Sequence, residues 1–195
     1  MTIVSGDFEL TMEELRVVAH YVLQSAEEVL PVFEDTSPGD PRPRAAINAA
    51  REFVDGARRT KLQRITSLDA HRAAKEATTE AARLAARAAG DAASAAYLHP
   101  IAKATQVGHI LRAAASAARV GELNADDDSA VGLRLLEEAR QRATPVLIDV
   151  LNRYPLAPTG KSRAAQLMTI LDASLRTPRQ AEGCPDSHDC RTKVK

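Results

Sequence analysis

The chain has no tryptophan and only six aromatic residues, three Tyr and three Phe, among 195. Few rings are therefore available for stacking on nucleic-acid bases. Cysteine is scarce too: Cys184 and Cys190 both fall in the last dozen residues and make no disulfide framework. No apolar run approaches the roughly 20 residues needed to cross a bilayer. Residues 1–9 are acidic and lack the basic start and apolar core of a signal peptide, so the expected location is cytoplasmic, away from membranes.

Motifs of chemistry are missing as well. There is no HExxH and no strand-borne glycine-rich phosphate loop; residues 158–162 (PTGKS) match only the end of a Walker motif. No serine or cysteine sits in an elbow or triad setting. Cys184, His188 and Cys190 lack the fourth ligand and scaffold that structural zinc requires. The expectation is a non-enzyme with no catalytic residues, no metal and no cofactor.

Alanine is plentiful: 37 residues, about a fifth of the chain. Alanine is the best helix former and lets helix axes approach closely, so the fold class expected is all-α. The helical signals arrange as a compact bundle of six to seven helices in one domain, residues 1–176, followed by a flexible tail, residues 177–195. Thr11 with Glu14 reads as a capping box opening a first helix. Its buried stripe is Leu15, Val18, Ala19, Val22, Ala26, Val29 and Phe33, and Pro31 is expected to kink or end it. Asp40-Pro41 reads as a cap and first residue for a second helix running to about Gly56. A long Ala-rich central helix is expected over 67–98, with Asp69, Arg72, Glu76, Glu80, Arg83, Arg87 and Asp91 as its solvent stripe. His99-Pro100 breaks it and starts a helix to about residue 120, buried through Val107, Ile110, Leu111, Ala114 and Ala118. Asp128 or Ser129 caps the next. Thr144-Pro145 kinks that helix or starts another, and a last helix covers about 160–175. No strand signal competes.

The zero net charge hides an arrangement. Residues 1–40 carry −8, residues 41–119 carry +8, and the remainder balances. The acidic part centres on the first helix, with Glu13, Glu14, Glu27, Glu28 and Glu34. On the second helix Arg44, Arg51 and Arg58 recur every seven residues, only about 20° apart around the axis, and form one stripe. The stripe pairs with the acidic segment, faces a protein partner or meets phosphates. Zero net charge and the acidic helix speak against nucleic acid.

The histidines divide by position. His20 reads as a surface residue. His71 lies among alanines opposite the polar stripe, His99 marks a helix break, and His109 flanks a buried face. On one unbroken helix His71 and His99 would stand about 40 Å apart, which excludes a shared three-histidine site.

The block Asp40-Pro41-Arg42-Pro43-Arg44-Ala45-Ala46-Ile47, followed by Ala50-Arg51-Glu52-Phe53 and Gly56, resembles the D-x-R-P-x-x-A-I opening of bacterial type-five immunity proteins and related immunity-like domains. The likeness continues through His71, residues 88–91 (AAGD), residues 97–100 (YLHP) and residues 107–109 (VGH), and covers roughly residues 10–175. It implies an all-α protein of polymorphic toxin systems that binds and neutralises a cognate protein toxin by occlusion. Asp40, Arg42, Arg44, His71, His99 and His109 match motif positions, with no role attached to any of them. The acidic helix suits a basic toxin such as a nuclease; the arginine stripe suits an acidic partner. Two alternatives stand beside this reading: a nucleic-acid-binding or nuclease-associated helical protein using the stripe, and a small-ligand or metal binder using His71.

Overall fold

The computed structural model describes residues 3–177. Eight α-helices follow a short hairpin among these residues: α1 Met12–Thr36, α2 Arg42–Val54, α3 Lys61–Glu76, α4 Glu80–Ala95, α5 Val107–Leu123, α6 Ser129–Arg142, α7 Pro145–Asn152 and α8 Arg163–Arg176. The hairpin pairs β1 Ile3–Ser5 with β2 Glu9–Thr11 in antiparallel register, Val4 opposite Leu10. These six residues overturn the expectation of a chain without strands. Leu10 is fully buried and anchors the hairpin on the core, and an apolar side chain at alternate positions is too weak a signal to show in so short a segment.

Local capping explains most helix ends. At α1 the Glu14 N–H donates to Thr11 Oγ1 (3.1 Å) and the Thr11 N–H donates to the Glu14 carboxylate (2.7 Å), the reciprocal box expected. All seven residues of the expected stripe are buried. The helix continues past Pro31 to Thr36 instead of stopping. Proline removes one backbone donor, but Leu30 and Phe33 on either side are held in the core. At α2 Pro41 already takes helical angles, and Asp40 accepts from the Arg42 N–H (3.0 Å), the side-chain bond expected of a cap. Gly56, at φ +105°, turns the chain away after α2.

The long central helix does not exist. It breaks at residues 77–79, and the pieces fold back as α3 and α4. Ala77 takes extended backbone angles, and Thr79 accepts from the Ala82 N–H (3.1 Å) to cap α4. The cross-contacts run in opposite chain directions: Tyr97 Oη donates to the Thr60 carbonyl (2.7 Å), and Ser67 Oγ to the Gly90 carbonyl (2.8 Å). The pair is an antiparallel hairpin. A further unexpected start is α3 itself, which begins at Lys61 behind a second capping box, Thr60 with Gln63.

α4 sits at the centre, packed against α1, α2, α3 and α5. Ala82, Ala85, Ala86, Ala88, Ala89, Ala92, Ala93 and Ala95 are all buried, so close packing surrounds it on nearly every side. The next helix starts at Val107, after an irregular stretch and one 3₁₀ turn (Ala104–Gln106), and not at residue 100. Its five expected buried residues are all buried. Asp128 caps α6 and Thr144 opens α7 as a separate helix. Glu122, buried on α5, accepts from both Arg119 (3.1 Å) and Arg163 (2.6 Å), and so ties α8 to the bundle. Burial works against the Glu122 charge, but the bonds from Arg163 and Arg119 prevail and hold its carboxyl below the usual range. The expected tail, including Cys184, His188 and Cys190, lies almost wholly outside the described residues.

Candidate functional site

Two charged regions of opposite sign meet side by side. Arg44 on α2 binds Glu34 on α1 through two hydrogen bonds (2.8 and 2.6 Å). Two turns further along, Arg51 binds Glu27 and receives support from Asn48. Glu28 pairs with Arg142 of α6 (3.0 Å), and Glu14 with Arg153 just after α7 (2.6 Å). The pairing reading of the stripe therefore describes what the chain does. Arg58 does not continue the stripe, because α2 ends at Val54 and Gly56 redirects the chain. Glu13 is exposed on the first turn of α1, and His20 is exposed as expected.

The family-motif residues converge elsewhere. Folding α3 onto α4 brings His71 against residues 90 and 91, which one continuous helix would have placed about 30 Å away. A Cβ at Gly90 would lie 2.9 Å from the His71 ring, so the ring rests directly on the α4 backbone. His71 Nε2 lies 3.6 Å from Asp91 Oδ1. Asp91, expected on the solvent stripe, is completely buried. Arg112 of α5 grips it with two parallel bonds, Nε to Oδ2 at 2.8 Å and Nη2 to Oδ1 at 2.5 Å. His109, one turn before Arg112, has its Nδ1 3.4 Å from Ser94 Oγ. Three helices are thus joined at one buried carboxylate. His99 is exposed; its N–H donates to Gln106 Oε1 (3.2 Å) and its carbonyl accepts from Tyr154 Oη (3.0 Å). Among the described residues no three His, Cys, Asp or Glu side chains are placed to hold a metal ion.

Both partly buried histidines are pushed below their ordinary value of 6.5. Burial is the main cause for each. Asp91 opposes the shift and Arg112 adds to it, with Arg87 and Lys75 acting on His71, and with His71 and His99 acting on His109. The folded state therefore holds neutral imidazoles while the unfolded chain takes up protons near pH 6.5. The resulting stability is present above about pH 6.5 and is lost as acidification approaches the lowered folded-state values. Urea midpoints should fall from pH 7 to pH 5, and the slope should flatten in the His71→Gln, His109→Gln double variant. An unchanged slope would mean that neither ring carries the effect.

Arg42 works at the far end of the same helix. It bonds Asp40 (2.6 Å) and reaches across to Glu76 on the last turn of α3 (2.5 Å). At the near end, Gln63 Nε2 donates to the Ala49 carbonyl (3.1 Å), and Arg59 and Arg64 stack on the Tyr97 ring at 5.3 and 4.8 Å. Motif residues Asp40, Arg42 and His71 all bear on α3.

That helix is inverted. Its buried side consists of Gln63, Thr66, Ser67, Ala70, Ala73 and Ala74. Its three large aliphatic residues, Leu62, Ile65 and Leu68, face solvent at 43, 54 and 53 % exposure. Polar clamps hold α3 on the bundle where an ordinary amphipathic helix would use its leucines. Sequence reasoning missed this face because a helix expected to start only at residue 67 leaves Leu62 and Ile65 outside it; the available signal was Thr60-x-x-Gln63, a helix start that puts 62, 65 and 68 on one helix.

The helical bundle thus carries an apolar ridge, Leu62, Ile65 and Leu68, on the outer side of α3. Residues 9–144 match the family model described as Imm-5 like putative immunity protein. The chain belongs to this Imm-5 like immunity family. No curated protein and no solved structure matches it.

Proposed function

We propose that this chain protects its host by binding a cognate protein toxin stoichiometrically and covering the toxin's active site. The observation that carries this reading is membership of an immunity family across residues 9–144. The bundle suits such a role, because a clamped, pre-organised scaffold loses little conformational freedom when it docks. The reading also puts the chain inside the cell that makes the toxin, as a partner of polymorphic toxin systems. Nucleic-acid binding through the arginine stripe gains no support, since Arg44 and Arg51 already hold Glu34 and Glu27.

Co-expression in a bacterial host with toxins encoded beside this gene tests the proposal. Growth should be restored with one of them, and the two proteins should purify as a complex of fixed ratio. Loss of growth with every neighbouring toxin would overturn the reading.

A further inference from the structure

We propose that the exposed face of α3 is the docking surface, and that it inserts as a ridge into an apolar groove rimmed by Asp and Glu side chains on the partner protein. This inference rests on the toxin-binding reading above and names the surface that performs it.

The first argument is the inversion of the helix. Burying a Leu or Ile side chain stabilises a fold, and α3 directs all three of its large aliphatic residues away from that gain. The other exposed large apolar residues, Ile3, Leu133, Val146, Leu156 and Ile170, are spread over the hairpin, α6, α7, α8 and one loop. Single exposed aliphatics are ordinary; three in one row mark an interaction site. Spacing of three residues turns each successive side chain by about 60°, so Leu62, Ile65 and Leu68 form one slanted ridge. Such a ridge is the shape that helix-in-groove recognition uses.

The second argument is charge. The two acids on α3 are already engaged, Asp69 with Arg72 (2.7 Å) and Glu76 with Arg42. Lys61, Arg64 and Lys75 have no carboxylate partner among the described residues, and they project within about 100° of Ile65 around the helix. Arg58 adds another cation at the entrance. An apolar centre with a basic border selects a partner whose groove has an acidic border. A second copy of this chain would set the same cations against one another. The acidic face of α1, by contrast, spends Glu27, Glu28 and Glu34 on arginines of its own chain.

The clamps explain why the ridge is usable. A helix held by Arg42, Gln63, Ser67 and Tyr97 keeps its position without burying its leucines. Its apolar side stays exposed to solvent.

The test uses the full chain and the neighbouring toxin that it neutralises. Ile65→Asp with Leu68→Asp should weaken binding by about a hundredfold or more, on the scale of an interface hot spot, and abolish growth protection. The melting temperature should change little, because both residues are exposed. Lys61→Glu with Arg64→Glu should slow association about tenfold at low salt and much less at high salt. Glu13→Lys on α1 should leave binding unchanged. Full protection by the Ile65, Leu68 variant would overturn the α3 assignment while leaving the immunity reading intact. A wild-type chain that protects against none of the neighbouring toxins would overturn both. A wild-type dimer that dissociates on Ile65→Asp would show that a second copy, and not a toxin, covers the ridge.

Discussion

Arg112→Met should destabilise the protein by about 4 kcal/mol, the range expected when one partner of a buried ion pair is removed. Asp91 would remain completely buried with its two guanidinium bonds gone. His71, at 3.6 Å, stands beyond hydrogen-bond distance and is a poor substitute. The reciprocal change, Asp91→Asn, should cost clearly less. The Arg112 side chain keeps 27 % of its surface exposed and can turn its charge toward water. Because an Asn beside a Met leaves no buried charge, the double variant should recover much of the loss. For a chain of this size, a loss of about 4 kcal/mol lowers the melting temperature by roughly 8–16 °C. Thermal melts of the three variants measure the ordering. If Arg112→Met melted within about 2 °C of wild type, or Asp91→Asn fell further than Arg112→Met, the buried carboxylate would not be the junction described above.

Ala89→Leu should be nearly as damaging, at about 3 kcal/mol, through the opposite fault. Ala89 is fully buried on α4, and α4 packs against four other helices. Extra methylenes there find no groove to enter, so side chains leave their rotamers or a helix axis moves outward. The same change at an exposed alanine, Ala45 on α2, should be almost neutral. Chemical unfolding of the pair separates packing from helix propensity, since Leu and Ala both favour helix. Equal stability of the two variants would mean that α4 is loosely packed. A shift of the α4 axis would also disturb the seat of His71 on Gly90, so the Ala89 variant should show an altered pH slope as well.

Much of the fold is legible residue by residue. The capping box at Thr11, the buried stripe of α1, the five buried residues of α5 and the cap at Asp128 can all be read directly, because each signal lies within four residues of the structure it specifies. The mistaken single helix over 67–98 stems from one local signal with a large consequence. Thr79 followed by Glu80 is an ordinary helix start, but helix-favouring, alanine-rich text on both sides masks it. Continuing the helix places His71 far from Asp91, puts Asp91 in solvent and hides the inversion of α3. The two cations with the clearest roles in holding the site, Arg42 and Arg112, are visible as residues but not as partners of Glu76 and Asp91.

The charge separation shows the same division. Sequence is enough to say that acids gather before residue 41 and bases after it, and that most of this charge rides on helices. Tertiary packing was needed to pair Glu27, Glu28 and Glu34 with Arg51, Arg142 and Arg44. Packing also left the cations of α3 beside exposed leucines. The physical reason is the alanine content. Alanine specifies helix strongly, but an alanine face is smooth and nearly the same on every helix, so the contact partner of each face is set by turns, clamps and buried ion pairs. Local chemistry made the helices; a few long-range polar contacts chose which side of each would meet water.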